Sequence, residues 1–241
     1  MTATSFNPAQ THSPVALASR GFLLLVAVLI VIGGLSRLSP LFDFDARLFW
    51  QHMSEDGYLM QTIARNMAIG LGMSTAEGNL PTNGVQPLAT FLFAGLHWLA
   101  GGSKAGGIAG VMAFSAAVAL ATLYTSYLLG RRVFGGVRYA HELALVAAAL
   151  WLVAPRITAH SMNGLETGLY YLAITTTWTY YLAAAARENI GFSWAQRLTF
   201  GLLLGLTFLA RNDAVFFIAA LLLAHWLVGT SATGGGFGHR F

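Results

Sequence analysis

The sequence predicts an all-α, polytopic membrane bundle of about six transmembrane helices with a long first outer loop. Three observations carry that expectation. The 241-residue chain is 56% hydrophobic and only 9% charged, where a soluble domain carries about 25% charged residues. Apolar runs recur along it, several near the roughly 20 residues a helix needs to cross a bilayer. Its basic residues are scattered between those runs rather than clustered in a block. Scattered positive charge sets membrane topology, so the net charge of +4 does not imply nucleic acid. Zero cysteines exclude disulfides, thiolate metal sites and cysteine nucleophiles.

Spans are expected at 20–38, 106–130, 140–155, 165–186, 197–211 and 213–229. The first follows a flexible polar tail, 1–19. No small-x-small cleavage site follows at Ser36 to Leu41, so this run reads as an uncleaved anchor. The last two spans are short and meet at the polar turn Arg211, Asn212, Asp213. A seventh apolar segment, 86–100, starts beside a proline and is broken by His97. If it does not cross and the N-terminus is inside, then Arg131, Arg132, Arg138, Arg187, Arg197 and Arg240 all fall on the cytoplasmic side, as the positive-inside rule requires. If it does cross, the "RRVFGGVR" loop moves outside and the rule fails. Six spans with both termini inside are therefore expected, with an outer loop over about 39–105. That loop holds five of the nine acids: Asp43, Asp45, Glu55, Asp56 and Glu77.

Within the loop, Leu59, Ile63 and Met67 recur every four residues, opposite polar Gln61, Arg65 and Asn66. This pattern predicts an amphipathic helix lying along the membrane surface. Gly70, Gly72, Gly78, Pro81 and Gly84 mark turns. Gly101–Gly102 and Gly106–Gly107 read as hinges before the next span. Residues 230–241 read as a disordered glycine-rich tail, and the "GGGFG" in it is no phosphate loop, since it follows no strand and precedes no helix. There is no internal repeat.

Few residues offer chemistry. Glu55 and Asp56 open the amphipathic helix. Acids favour a helix first turn and Ser54 is a plausible N-cap, which explains them structurally. A carboxylate at the bilayer edge can equally act as a general base on an acceptor hydroxyl. Two carboxylates can also contribute to a divalent-cation site, but one pair is too few ligands to predict a metal. Glu166, in "NGLETGLYYL", sits at the outer end of a span, with Asn163 as a candidate cap. Ionisable groups there are costly and usually paired, which makes Glu166 a functional candidate. Arg211 either holds a phosphate with its planar fork or forms an internal ion pair with Asp213. Arg65 and Arg156 are weaker phosphate candidates, since interface arginines commonly snorkel. In "PTNGVQPL", Asn83 and Gln86 either bind sugar hydroxyls or carry backbone bonds. The histidines show no metal-ligand spacing. His52 lies near the acidic pair and His160 near Glu166, while His97 and His225 are expected to face helix neighbours or the interface.

Four segments in order, "EDGYLMQTIARNMAIGLGM", "PTNGVQPL", "NGLETGLYYL" and "GLLLGLTFLARNDAVF", resemble the GT-C superfamily of membrane glycosyltransferases. The nearest likeness is an uncharacterised bacterial branch related to the mycobacterial arabinofuranosyltransferases, and more distantly to protein O-mannosyltransferases and aminoarabinose transferases. The resemblance covers roughly 20–228, making 20–229 a GT-C-like transmembrane module. It implies transfer of a sugar from a polyprenyl-phosphate donor to a glycan, lipid or protein acceptor at the outer face of the bacterial inner membrane. By the same resemblance, Asp56 matches the catalytic base and Glu55 its neighbour, Glu166 matches an acid in a later outer loop that would shape the substrate pocket, and Arg211 matches a basic residue that meets the donor phosphate. Here the pair is Glu-Asp rather than Asp-Asp or Asp-Glu, so the division of labour between the two acids stays open. The family usually carries more helices and a soluble outer domain, so the chain is expected to be truncated. The competing classes are a polyprenyl-lipid transporter or assembly subunit, and an inactive fragment of a larger glycosyltransferase.

Overall fold

The computed structural model describes residues 20–42, 52–76, 80–185 and 192–233. The predicted tail 1–19, Asp43, Asp45, Glu77, Gly78, Arg187 and residues 234–241 lie outside them. Among the described residues every regular element is helical, with one isolated antiparallel bridge between Ser74 and Pro81. The helices are α1 (Arg20–Leu38, followed by a 3-10 turn at Ser39–Leu41), α2 (Glu55–Ala68), α3 (Pro87–Leu99), α4 (Lys104–Val133), α5 (Ala140–Val153), α6 (Pro155–Ser161), α7 (Thr167–Ala185), α8 (Trp194–Ala210) and α9 (Ala214–Thr233). Helix α9 runs through residues 230–233, which the sequence reading assigned to the tail.

Each predicted span is helical, but they are not equivalent. Arg20–Leu41 and α4 are long and apolar enough to cross a membrane, and α5 with α6 is a third if the bent pair is one broken span. Helices α3, α8 and Ala214–Leu227 are apolar but shorter. Helix α3, with 13 residues, reaches about 20 Å against a hydrocarbon core of about 30 Å. Helix α7 is 19 residues long yet rich in Thr and Tyr. Those threonines are spent inside the bundle. Thr175 pairs with Thr125 of α4 at 2.7 Å, Thr177 with Thr207 of α8 at 3.0 Å, and Thr179 donates to the Thr125 carbonyl. Interhelical hydroxyl bonds of this kind hold helices together where apolar surface alone cannot.

Local chemistry sets the helix ends. Helix α2 starts at Ser54, whose hydroxyl accepts from the Gly57 N–H at 3.0 Å. It stops at Gly70, which takes φ +86. There the Leu71 N–H reaches the Asn66 carbonyl and the Gly70 N–H the Met67 carbonyl, a Schellman pair. Helix α3 ends the same way at Gly101, with Gly102 bonded to the His97 carbonyl and Gly101 to that of Trp98. Ser103 then caps α4. The expected hinges are thus a helix stop and the first turn of α4. Gly107 is not a hinge: a Cβ there would sit 1.9 Å from His97 Nδ1, so the glycine makes room for the ring.

The structure corrects the reading in two further places. The expected 140–155 span breaks at Ala154, and α6 leaves α5 at 64°. Pro155 has no N–H and forces the preceding residue out of the helical region, so the ladder cannot continue. Arg37 Nη1 donates to the exposed end of that ladder, the Leu152 carbonyl, tying α1 to the break. The second correction concerns α2, whose buried face is not the expected one. Ile63 is buried, but Leu59 is 50% exposed, while polar Gln61 and Asn66 are 2% and 4% exposed. The helix is not laid flat on a surface. It packs on α3 and contributes Met53, Met60 and Ala64 to a core shared with Phe93, Val111, Met112 and Met162. The buried polar groups are affordable because both are bonded. Asn66 donates to the Ser74 and Thr75 carbonyls, and Gln61 to the Gly164 carbonyl.

Substitution at Gly107 tests the α3–α4 contact. Gly107→Ala should cost about 1–3 kcal/mol by overpacking and lower the melting temperature in detergent. Gly95→Ala, with open space around its Cβ, should be neutral or slightly stabilising.

Candidate functional site

The best-supported site is the place where four connecting segments meet. The first is the start of α2. The Ser54 N–H donates to the Asn163 carbonyl at 3.2 Å, and the Ser54 hydroxyl approaches the same oxygen at 3.3 Å. The contact is tight enough to require two glycines. A Cβ on Gly57 would lie 1.9 Å from the Asn163 oxygen, and one on Gly164 would lie 2.2 Å from Met53 Sδ. Gly164 also takes φ +81, which only glycine adopts without strain. The Asn163 side chain accepts from the Leu165 N–H at 3.1 Å. It thus closes a local turn instead of capping α7, its expected role. Glu55 and Asp56 are exposed on the first turn of α2, beside this contact.

Glu166 follows the turn and immediately precedes α7. It is buried and 3.7 Å from Arg211 Nη1. Arg211 Nε bonds Asp213 at 3.0 Å, and the guanidinium lies over the Tyr170 ring at 5.8 Å. The Asn212 N–H donates to Gln86 Oε1 at 3.1 Å, which joins the loop before α3 to the turn between α8 and α9. Three predicted residues therefore converge directly: Glu166, Arg211 and Gln86. Glu55 and Asp56 join them through Ser54 and Asn163. No hydrogen bond or ion pair connects either acid to Glu166 or Arg211 among the described residues.

The remaining candidates are placed elsewhere. Arg65 Nε donates to the Gly102 carbonyl at 2.6 Å, and lies about 14 Å along α2 from Asp56 at 1.5 Å per residue. It is committed to the opposite end of the α2–α3 pair. Asn83 is exposed before α3 and His160 is exposed on α6; neither forms a hydrogen bond among the described residues. Both readings of Arg211 bear on what is seen, because the internal pair with Asp213 exists. One cation between two carboxylates leaves the cluster with a net charge of −1. Among the described residues no three metal-ligating side chains converge.

Reading the sequence missed the support behind this site. Gln61 donates to the Gly164 carbonyl at 2.8 Å and faces His97 Nε2 at 3.2 Å through its own oxygen. His97 therefore carries its proton on Nε2, by the logic of the network. Burial pushes the His97 pKa below its ordinary value, and the Arg65 charge pushes it further the same way, against an opposing backbone contact at Ser103. The Asn163–Gly164 dipeptide is the one local signal of the turn; nothing local marks Gln61 as its partner.

The His97 ring gives a pH prediction. Its folded pKa lies below the unfolded value of about 6.5, so the unfolded chain takes up the proton first as pH falls. Its contribution to stability is complete above pH 6.5 and is lost as pH drops through the folded value. Melting temperature followed from pH 8 to pH 5 should fall below pH 6.5, and His97→Asn should flatten that slope.

No family model matches the chain, and neither a curated protein nor a solved structure matches it.

Proposed function

We propose that the chain is a glycosyltransferase module that takes a sugar from a polyprenyl-phosphate donor at the outer face of the bacterial inner membrane. The observation that carries this reading is the docking of the α2 start on the turn that leads into Glu166. It sets two exposed carboxylates beside a buried acid and a half-exposed arginine. In this reading Asp56 accepts the proton of the acceptor hydroxyl as its oxygen bonds to the anomeric carbon. The bond to the donor phosphate breaks and the phosphate departs with the electron pair, inverting the centre. Glu55 orients the acceptor or assists the base. Glu166 shapes the sugar pocket, with Gln86 holding the neighbouring turn in place.

Arg211 is the cation for the leaving phosphate. Its link to Asp213 does not preclude this, since Asp213 is half exposed and an exposed pair is worth only about 0–1 kcal/mol. A phosphate carrying more charge can displace Asp213, while Glu166 keeps the guanidinium aimed. The topology this requires is the one the basic residues favour, with both termini inside.

A second reading is a non-catalytic polyprenyl-lipid transporter or assembly subunit. It is favoured by the internal partners that Arg211 and Gln86 already have.

A transfer assay with polyprenyl-phosphate sugars separates the two. Asp56→Asn should lower transfer by at least about 100-fold, the usual range for a lost general base, with expression and melting unchanged. Glu55→Gln should lower it less. Full transfer by a well-expressed Asp56→Asn would remove Asp56 from the base role. Absence of transfer by the wild-type chain across donors would favour the second reading.

A further inference from the structure

Arg37, in the last turn of α1, is 1% exposed, yet its guanidinium is only half used. Nη1 donates to the main-chain oxygens of Gly33 and Leu152. Nε and Nη2 are buried and have no hydrogen-bond partner. Those two nitrogens form one edge of the guanidinium, the edge that meets paired oxygens of a carboxylate or phosphate side-on. Among the described residues no carboxylate pairs with Arg37. A buried charge without an acceptor is costly, so this edge calls for an oxyanion.

The surroundings hold the group in place. Trp151 covers the guanidinium at 5.7 Å. Gly33 lets α1 touch α5, since a Cβ there would meet Leu152 Cγ at 2.8 Å. Opposite this contact, α1 shows an unpartnered apolar flank that includes Leu24, Val31 and Leu35. An oxyanion that arrives here through apolar surroundings must itself carry an apolar chain.

The geometry points to a phosphate-bearing lipid as the missing acceptor, its phosphate on the Nε–Nη2 edge of Arg37 and its chains against α1. The head group enters as the packing at the end of α1 loosens, because the edge is closed in the structure. This site is separate from the carboxylates around Glu166 and does not depend on sugar transfer.

The test is melting of the detergent-purified, delipidated full chain with added phosphatidylglycerol, diacylglycerol or inorganic phosphate, together with native mass spectrometry of retained lipid. Phosphatidylglycerol should raise the melting temperature of the wild type and remain bound, while diacylglycerol should not. Arg37→Lys keeps the charge but lacks the fork, and should lose at least tenfold in retained phosphatidylglycerol. If that variant does not fold, the comparison between lipids on the wild type still decides. Equal stabilisation by phosphatidylglycerol and diacylglycerol, or equal retention by Arg37→Lys, would overturn the site. Stabilisation by inorganic phosphate to the same extent would overturn its assignment to a lipid.

Discussion

The site depends on one backbone-to-backbone contact, the seating of the α2 start against the carbonyl of Asn163. Two main chains can approach this closely only because Gly57 and Gly164 lack side chains. The contact fixes where Glu55 and Asp56 stand relative to Glu166. It is reinforced from one side by Gln61 and His97 and from the other by the Met-rich core around Met53 and Met162. Methionine suits an irregular gap of this kind because it is flexible and unbranched. Loss of the contact would leave the acids on an untethered helix and Glu166 on an untethered turn.

The rest of the bundle is assembled by small residues and short polar bonds more than by bulky apolar packing. Gly33 meets Leu152, Gly130 meets Ala144, and threonines bridge α4, α7 and α8. Lipid is as apolar as leucine, so close helix approach and hydroxyl bonding take over the role that apolar burial has in water. Arg37 belongs to the same economy: its charge caps the broken end of α5, where Pro155 stops the ladder. The two ends of the first span thus serve different purposes, one as anchor and one as clasp.

Much of this was legible in the residues and some of it could not be. Apolar runs located every span, and the polar Arg211, Asn212, Asp213 turn fell where it was expected, because composition alone decides both. The pairing of Glu166 with Arg211 was accessible only as shared sidedness, inferred from charge. The face of α2 was misread because periodicity treats Gln61 and Asn66 as solvent-facing. Their burial depends on carbonyls at Gly164 and Ser74, and for Gln61 that partner is 103 residues away. Arg65 was misplaced for a similar reason, since its acceptor is a carbonyl exposed by the Gly101 helix stop. The break at Pro155 was readable from the proline itself, and was overlooked because the apolar run continues up to it.

The central claim is that the α2 start, the loop before α3 and the α8–α9 turn face one compartment outside the membrane. The chain has no cysteine, so single introduced cysteines report sidedness without background. Glu55→Cys, Asn83→Cys and Asn212→Cys should all react in intact cells with a membrane-impermeant thiol reagent, and Arg132→Cys should react only after lysis. Labelling of Glu55→Cys and Asn212→Cys from opposite sides would contradict the account.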